Sequence, residues 1–155
     1  MAAEPVLLDT DTLSELSRGS AIVTARARAY LTDFGRLTIS AVTVFERLRG
    51  YRLAIQAGKP FQPQLQAFQA LVGTCVVLPF DQDAADVAAT IWASCSRSQR
   101  QHLGDLLIAA IAVARQIPLA TRNRRDFDAI SKGAGVDLRL VDWTAAPKRI
   151  ARKAR

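Results

Sequence analysis

A chain of 155 residues, half of them hydrophobic, has room for one buried core and is too apolar for a disordered polymer. No apolar run approaches the roughly 20 residues needed to cross a bilayer, and Met1 to Leu8 lacks the features of a secretory signal, so a cytoplasmic protein with no membrane partner is expected. A formal charge of +7 and a pI near 10.2 favour a polyanionic partner, either nucleic acid or an acidic protein.

Val6–Leu8 is a short apolar run ending at Asp9 and reads as a first strand. Thr12 and Glu15 have the spacing of a capping box, which predicts a helix starting there. Ala21 to Leu31, rich in alanine and arginine, is predicted helical. Leu37–Ser40 reads as a second strand, feeding a helix from near Val42 toward a stop at Gly58. Lys59, Pro60 and Pro63 mark a connection before a helix over Gln64 to Val72. Cys75–Leu78 is a third strand closed by Pro79. Asp83 to Ser96 is predicted helical with Asp81 or Asp83 as its cap, and Ser96 to His102 is predicted to be a loop. Leu103 to Arg115 is a helix apolar around most of its circumference, hence buried. Leu119–Thr121 is a fourth strand, Asp126 to Ser131 a short helix, and Leu138–Val141 a fifth strand.

Short apolar strands alternating with helices predict an α/β domain around a mainly parallel sheet of about five strands flanked by helices. The domain is expected over residues 1–147. Residues 148–155 form a basic tail with Lys148, Arg149, Arg152, Lys153 and Arg155. Arg122, Arg124 and Arg125 make a second basic cluster.

Cys75 and Cys95 read as small buried hydrophobes. With the single His102 they cannot build a Cys/His zinc site without carboxylates. One histidine also cannot supply paired imidazoles for metal-free phosphodiester cleavage, so such chemistry here would need a metal. The acids are the remaining ligands. Asp9 ends the first strand, and Glu46 lies early in the helix after the second. Asp105 opens the buried helix, and Asp126 follows the fourth strand. In a parallel sheet, strand C-termini and the helix N-termini that follow share one edge, where open α/β folds place ligands. Carboxylate oxygens gathered there suit Mg²⁺ or Mn²⁺, ions able to assist phosphodiester hydrolysis. Each acid alone also has a local explanation: Thr43 with Glu46 as a capping box, Asp105 against a helix dipole, Asn123 with Asp126 at capping spacing, and Asp9 in a turn. Trp92 and Trp143 read as packing residues, with base stacking as the alternative.

Three segments together resemble the PIN domain family, and within it VapC-type toxins of toxin–antitoxin pairs. These are VLLDTDTLSEL (Val6 to Leu16), ISAVTVFERLRG (Ile39 to Gly50) and GDLLIAAIAVARQIPLATRNRRDF (Gly104 to Phe127). The resemblance spans nearly the whole chain. It implies a PIN-like fold and an endoribonuclease dependent on Mg²⁺ or Mn²⁺, with Asp9, Glu46 and Asp105 matching the principal acids and Asp126 the fourth. Asp9, Asp105 and Asp126 are the implied metal ligands. Thr121 and Asn123 match a Thr-x-Asn element that shapes the metal site, and Asp11 falls where many members carry Asn, either as an additional outer ligand or as a helix-start residue. The resemblance also implies a VapB-like antitoxin as partner and a homodimer. Arg122, Arg124 and Arg125 beside the cleft are expected to meet RNA phosphates.

Two other functions fit parts of the sequence. LLDTDTL resembles the Asp-x-Asp opening of haloacid-dehalogenase-type phosphatases, with Asp9 as nucleophile, but Gly104–Asp105 lacks the second Asp that family needs. A non-enzymatic basic RNA-binding module accounts for the arginines and leaves the acids at the sheet edge unexplained.

Overall fold

The computed structural model describes residues 3–146; the basic tail expected over 148–155 lies outside them. Thirteen elements follow in chain order: β1 (Leu7–Leu8), α1 (Thr10–Ser17), α2 (Ala21–Phe34), β2 (Thr38–Ser40), α3 (Ala41–Gln56), α4 (Gln62–Thr74), β3 (Val76–Leu78), α5 (Gln82–Ser94), α6 (Arg97–Arg100), α7 (Leu103–Arg115), β4 (Leu119–Ala120), α8 (Arg124–Ala134) and β5 (Leu140–Val141).

The strands form one sheet in the order β3-β2-β1-β4-β5, and every pairing is parallel. Leu7 pairs with Thr38 on one side and Leu119 on the other. Successive strand side chains point to opposite faces, and both faces are covered at β1, β2 and β4, while β3 at the edge leaves Val76 and Val77 exposed. Leu7 and Leu119 enter a core with Ala88, Ile91, Leu106, Ile108, Ile111 and Phe127 from α5, α7 and α8. Leu8 and Ala120 enter the opposite core with Leu13, Val23, Ala27, Phe68 and Trp143. A sheet buried on both faces needs apolar residues at consecutive positions, and this is why its strands read as runs rather than alternations.

Helix α7 occupies the span expected from the sequence. Leu106, Ile108 and Ile111 are at most 1% exposed, and each such side chain contributes about 1.5–3 kcal/mol by leaving water. Among the described residues no helix is long and apolar enough to cross a membrane. Cys75 and Cys95 are buried free thiols. Trp143 is buried against Tyr30, with ring centroids 5.7 Å apart. Trp92 departs from the packing expectation: it is 41% exposed and lies beneath the Arg100 guanidinium at 5.1 Å.

Three local expectations are corrected. Helix α1 starts two residues before Thr12, because Asp9 caps it by accepting from the Thr10 N–H; Thr12 is instead fully buried and donates to the Ala120 carbonyl at 2.9 Å. The stretch after Ser96 holds the short helix α6, started by a capping box in which Ser96 Oγ accepts from Gln99 N and Gln99 Oε1 accepts from Ser96 N. Helix α8 begins at Arg124 and runs to Ala134, where Gly135 takes the left-handed conformation that ends it.

Candidate metal centre

The chain leaves β1 toward β2 on one side, while β4 lies on the other side of β1. That reversal opens a crevice at the C-terminal ends of β1 and β4, the place where open parallel sheets bind ligands. Asp9 follows β1 there and Thr121 follows β4.

Asp9 is 3% exposed. Its Oδ1 accepts from Thr10 N and its Oδ2 from Thr121 Oγ1, both at 2.8 Å. Thr121 is fully buried, and its hydroxyl oxygen accepts from the Asn123 N–H at 3.0 Å, which aims its proton at Asp9. Asn123 thus acts through its backbone; its side chain makes no cap bond to α8. Burial, then the neighbouring Asp11 and, to a lesser degree, Asp105, push the Asp9 carboxyl up to about 7, against the hydrogen bonds from Thr121 and Thr10. Asp11 accepts from Thr12 Oγ1 at 3.2 Å and from Arg122 N at 3.1 Å.

Glu46 reaches the same edge from α3. A file of hydroxyls holds it: Ser40 Oγ donates to Thr43 Oγ1 at 3.2 Å, Thr43 Oγ1 lies 3.1 Å from Thr10 Oγ1, and Thr10 Oγ1 donates to Glu46 Oε2 at 2.8 Å. Because the Thr10 proton is committed to Glu46, Thr43 donates to Thr10, and the donors run one way from Ser40 to the carboxylate. Thr10 therefore links two acids, Asp9 by its backbone and Glu46 by its side chain. Ser40, not Thr43, caps α3 by accepting from Thr43 N, which frees Glu46 from the capping box its spacing suggested.

Asp105 stands in the first turn of α7. Burial raises its carboxyl first, then Glu46, Asp11 and Asp126, with His102 opposing. It lines a cavity of 120 Å³ with Asp126, His102, Ser98, Gln99 and Ile130. Its neighbour Gly104 has no room for a Cβ, which would collide with Glu46 Oε1. Asp105 is thus the acid whose field meets Asp9, Asp11, Glu46 and Asp126.

A hard divalent cation fits this donor set. The side chains offer carboxylate oxygens, and the burial and neighbouring carboxylates that lift Asp9 are both offset by positive charge. Gly104 leaves free the place that Glu46 Oε1 takes. Among the described residues no three His, Cys, Asp or Glu side chains stand together closely enough to hold an ion as they are placed.

The basic residues divide. Arg122 is tied to Glu15 at 3.1 Å, an acid that also holds Arg18 at 2.9 Å, so Glu15 serves ion pairs rather than a cap. Arg124 and Arg125 are exposed at the start of α8 and make no salt bridge among the described residues. Sequence reasoning missed Thr10, Ser40 and Thr43 as supports of the acids. It also missed Arg47, a half-buried cation whose guanidinium donates to Ser14 Oγ and Tyr51 Oη at 3.0 and 2.9 Å, leaving Nε buried without an acceptor. The one available signal for the hydroxyls was their place: each stands at a strand end or in the first turn of the following helix.

The sequence matches the family model of the PIN domain over residues 6–133. No curated protein matches it. Among solved structures, the chain is similar to the DNA-bound VapBC of Salmonella typhimurium, with a TM-score of 0.69 and 22% identity over 91% of this chain and 99% of that one. It is also similar to VapBC-1 of nontypeable Haemophilus influenzae, at 0.68 and 22% over 92% and 100%. These two likenesses show the fold. VapBC-5 of Mycobacterium tuberculosis is 30% identical over 69% of this chain and 83% of that one, with a TM-score of 0.50.

Proposed function

The chain belongs to the PIN domain family, a family of nucleases, and we propose that it is the VapC-type toxin of a toxin–antitoxin pair, an endoribonuclease dependent on Mg²⁺ or Mn²⁺. The observation that carries this reading is the gathering of acids at one sheet edge, with Asp9 and Asp11 both at the Thr121 hydroxyl, Glu46 against Gly104 and Asp105 on one cavity with Asp126, in a molecule whose net charge is otherwise strongly positive.

Asp9, Asp105 and Asp126 would hold the ion. When bound, it supplies charge neutralisation at the scissile phosphate and an acidified water. Thr121 fixes the Asp9 carboxylate, and the Asn123 amide fixes Thr121. Glu46, steadied at Oε2 by Thr10, presents Oε1 to the attacking water, orienting it and accepting its proton. Attack at phosphorus forms the new P–O bond and breaks the bond to the 3′-oxygen of the preceding nucleotide, which takes up a proton from solvent, leaving a 3′-hydroxyl and a 5′-phosphate. Asp11, bonded to the Arg122 amide, adds negative field outside the three ligands. Arg124 and Arg125 meet flanking phosphates, a contact independent of base sequence.

The partner in this reading is a VapB-like antitoxin that covers the acidic cleft, in keeping with the VapBC relatives. The toxin acts as a homodimer in the cytoplasm, where its RNA substrate is found. Purified protein incubated with single-stranded RNA and Mg²⁺ or Mn²⁺ tests the proposal. Cleavage is expected, with complete loss in Asp9→Asn and Asp105→Asn variants that keep the wild-type circular dichroism spectrum. Undiminished cleavage by both variants sinks it.

A further inference from the structure

Beside Glu46, along α3, lies an open pocket of 350 Å³ lined by Glu46, Arg47, Gly50, Tyr51, Lys59 and Phe61. Its charge is unusual. Arg47 and Lys59 make no salt bridge among the described residues. The Arg47 guanidinium lies 5.4 Å from the Tyr51 ring centroid and 5.6 Å from that of Phe68, and it donates to the Tyr51 hydroxyl and to Ser14 Oγ, so the cation is held by two rings and two hydroxyls and not by a carboxylate. Lys59 is set by its backbone: its N–H donates to Ala54 O past the left-handed Gly58, and its carbonyl accepts from Phe61 N. Tyr51 and Phe61 face each other with centroids 6.3 Å apart.

Gly50 supplies an independent observation. It sits in the interior of α3, where glycine weakens a helix relative to alanine. No packing reason explains it, since a Cβ there would meet nothing within 4 Å. What the missing side chain leaves is space over the helix backbone on the wall of the pocket, the use glycine has where a ligand approaches the main chain closely.

We propose that this pocket is a nucleotide subsite for the RNA strand, next to the acidic centre. A phosphate lies between Arg47 and Lys59, its base rests on Tyr51 or Phe61, and the sugar passes over Gly50. The inference rests on the endoribonuclease reading and extends it, since Glu46 belongs both to the acidic centre and to the wall of this pocket. It requires a single strand, because a base must leave its stack to meet an aromatic ring. The strand then runs across the acids from the α3 side toward Arg124 and Arg125 on α8, with cations on both banks and the carboxylates between them.

The test uses the full chain carrying Asp9→Asn and Asp105→Asn, so that binding is read without cleavage. A fluorescein-labelled single-stranded oligoribonucleotide is titrated by anisotropy across a series of salt concentrations. Adding Gly50→Leu is expected to raise the melting temperature, because leucine is the better helix former and its Cβ meets nothing within 4 Å, while weakening RNA binding about tenfold by filling the subsite. Adding Lys59→Gln is expected to lower the slope of log affinity against log salt by about 0.7, the loss of one phosphate contact on a single strand. An unchanged affinity in the first and an unchanged slope in the second overturn the subsite. So does a glutamate-rich peptide that binds in a Gly50-sensitive manner when RNA does not, which would make the pocket a protein-docking site. Cleavage by the otherwise wild-type chain is measured alongside: if it persists while the subsite fails, only this inference falls, and if it is absent, the endoribonuclease reading falls first.

Discussion

Gly104 and Glu46 occupy one volume between them: the Cβ that Gly104 lacks would overlap Glu46 Oε1. Alanine at position 104 would therefore move the carboxylate while every acid keeps its identity. Gly104→Ala is expected to keep or slightly raise the melting temperature, since alanine favours the first turn of α7. Cleavage should fall by about a hundredfold, the usual effect of a displacement near 1 Å at a reacting group. Steady-state rates and thermal unfolding of the same preparation check this.

Asp9 makes stability depend on pH. Its carboxyl is raised from 3.8 to about 7 in the folded chain, so between about pH 4 and pH 7 the folded state holds a proton that the unfolded state has released. Stability in EDTA is therefore expected to fall as pH rises through that window, by up to about 4 kcal/mol. Asp9→Asn should flatten the dependence and be the more stable protein at pH 8. Urea midpoints of both proteins at pH 5 and pH 8 give the comparison.

The same proton competes with the cation. Mn²⁺ affinity, read by calorimetry, is expected to rise with pH through about 7 and level off above it, because a carboxylate must be deprotonated to ligate. Thr121→Val removes a hydrogen bond that lowers the Asp9 carboxyl, so the midpoint should move to higher pH. A midpoint that stays put would show that Thr121 does not govern the protonation of Asp9.

Arg122 and its neighbours should differ. Arg122 already faces Glu15, and its replacement by Ala is expected to leave the salt dependence of RNA binding nearly intact. Arg124→Ala and Arg125→Ala should each lower the slope by about 0.7. Anisotropy titrations in the non-cleaving background measure all three.

Much of this architecture was legible in the residues. The apolar run before Asp9 and the all-round apolar helix from Leu103 gave both their elements and their burial, because burial on two faces leaves a plain compositional trace. Asp81 was correctly among the caps foreseen for α5. The helix expected from near Val42 does start at Ala41, whereas the start of α1 was misread because Thr and Asp both cap helices, and Asp9-Thr10-Asp11-Thr12 offers several candidates in a row. A tertiary bond decided between them, since the Thr12 hydroxyl is engaged at the Ala120 carbonyl, which leaves Asp9 to cap at Thr10 N. The hydroxyl file from Ser40 to Glu46 was invisible in the sequence because its members come from two segments more than thirty positions apart.

The placement of Leu7 and Leu8 in opposite cores has a further effect. A slide of β1 by one position would exchange the two leucines between compartments of different shape and carry Asp9 about 3.3 Å along its neighbours. Hydrophobic sorting thus acts as a ruler for the chemistry: any disturbance large enough to misplace the carboxylate must first unpack two sides of the molecule at once.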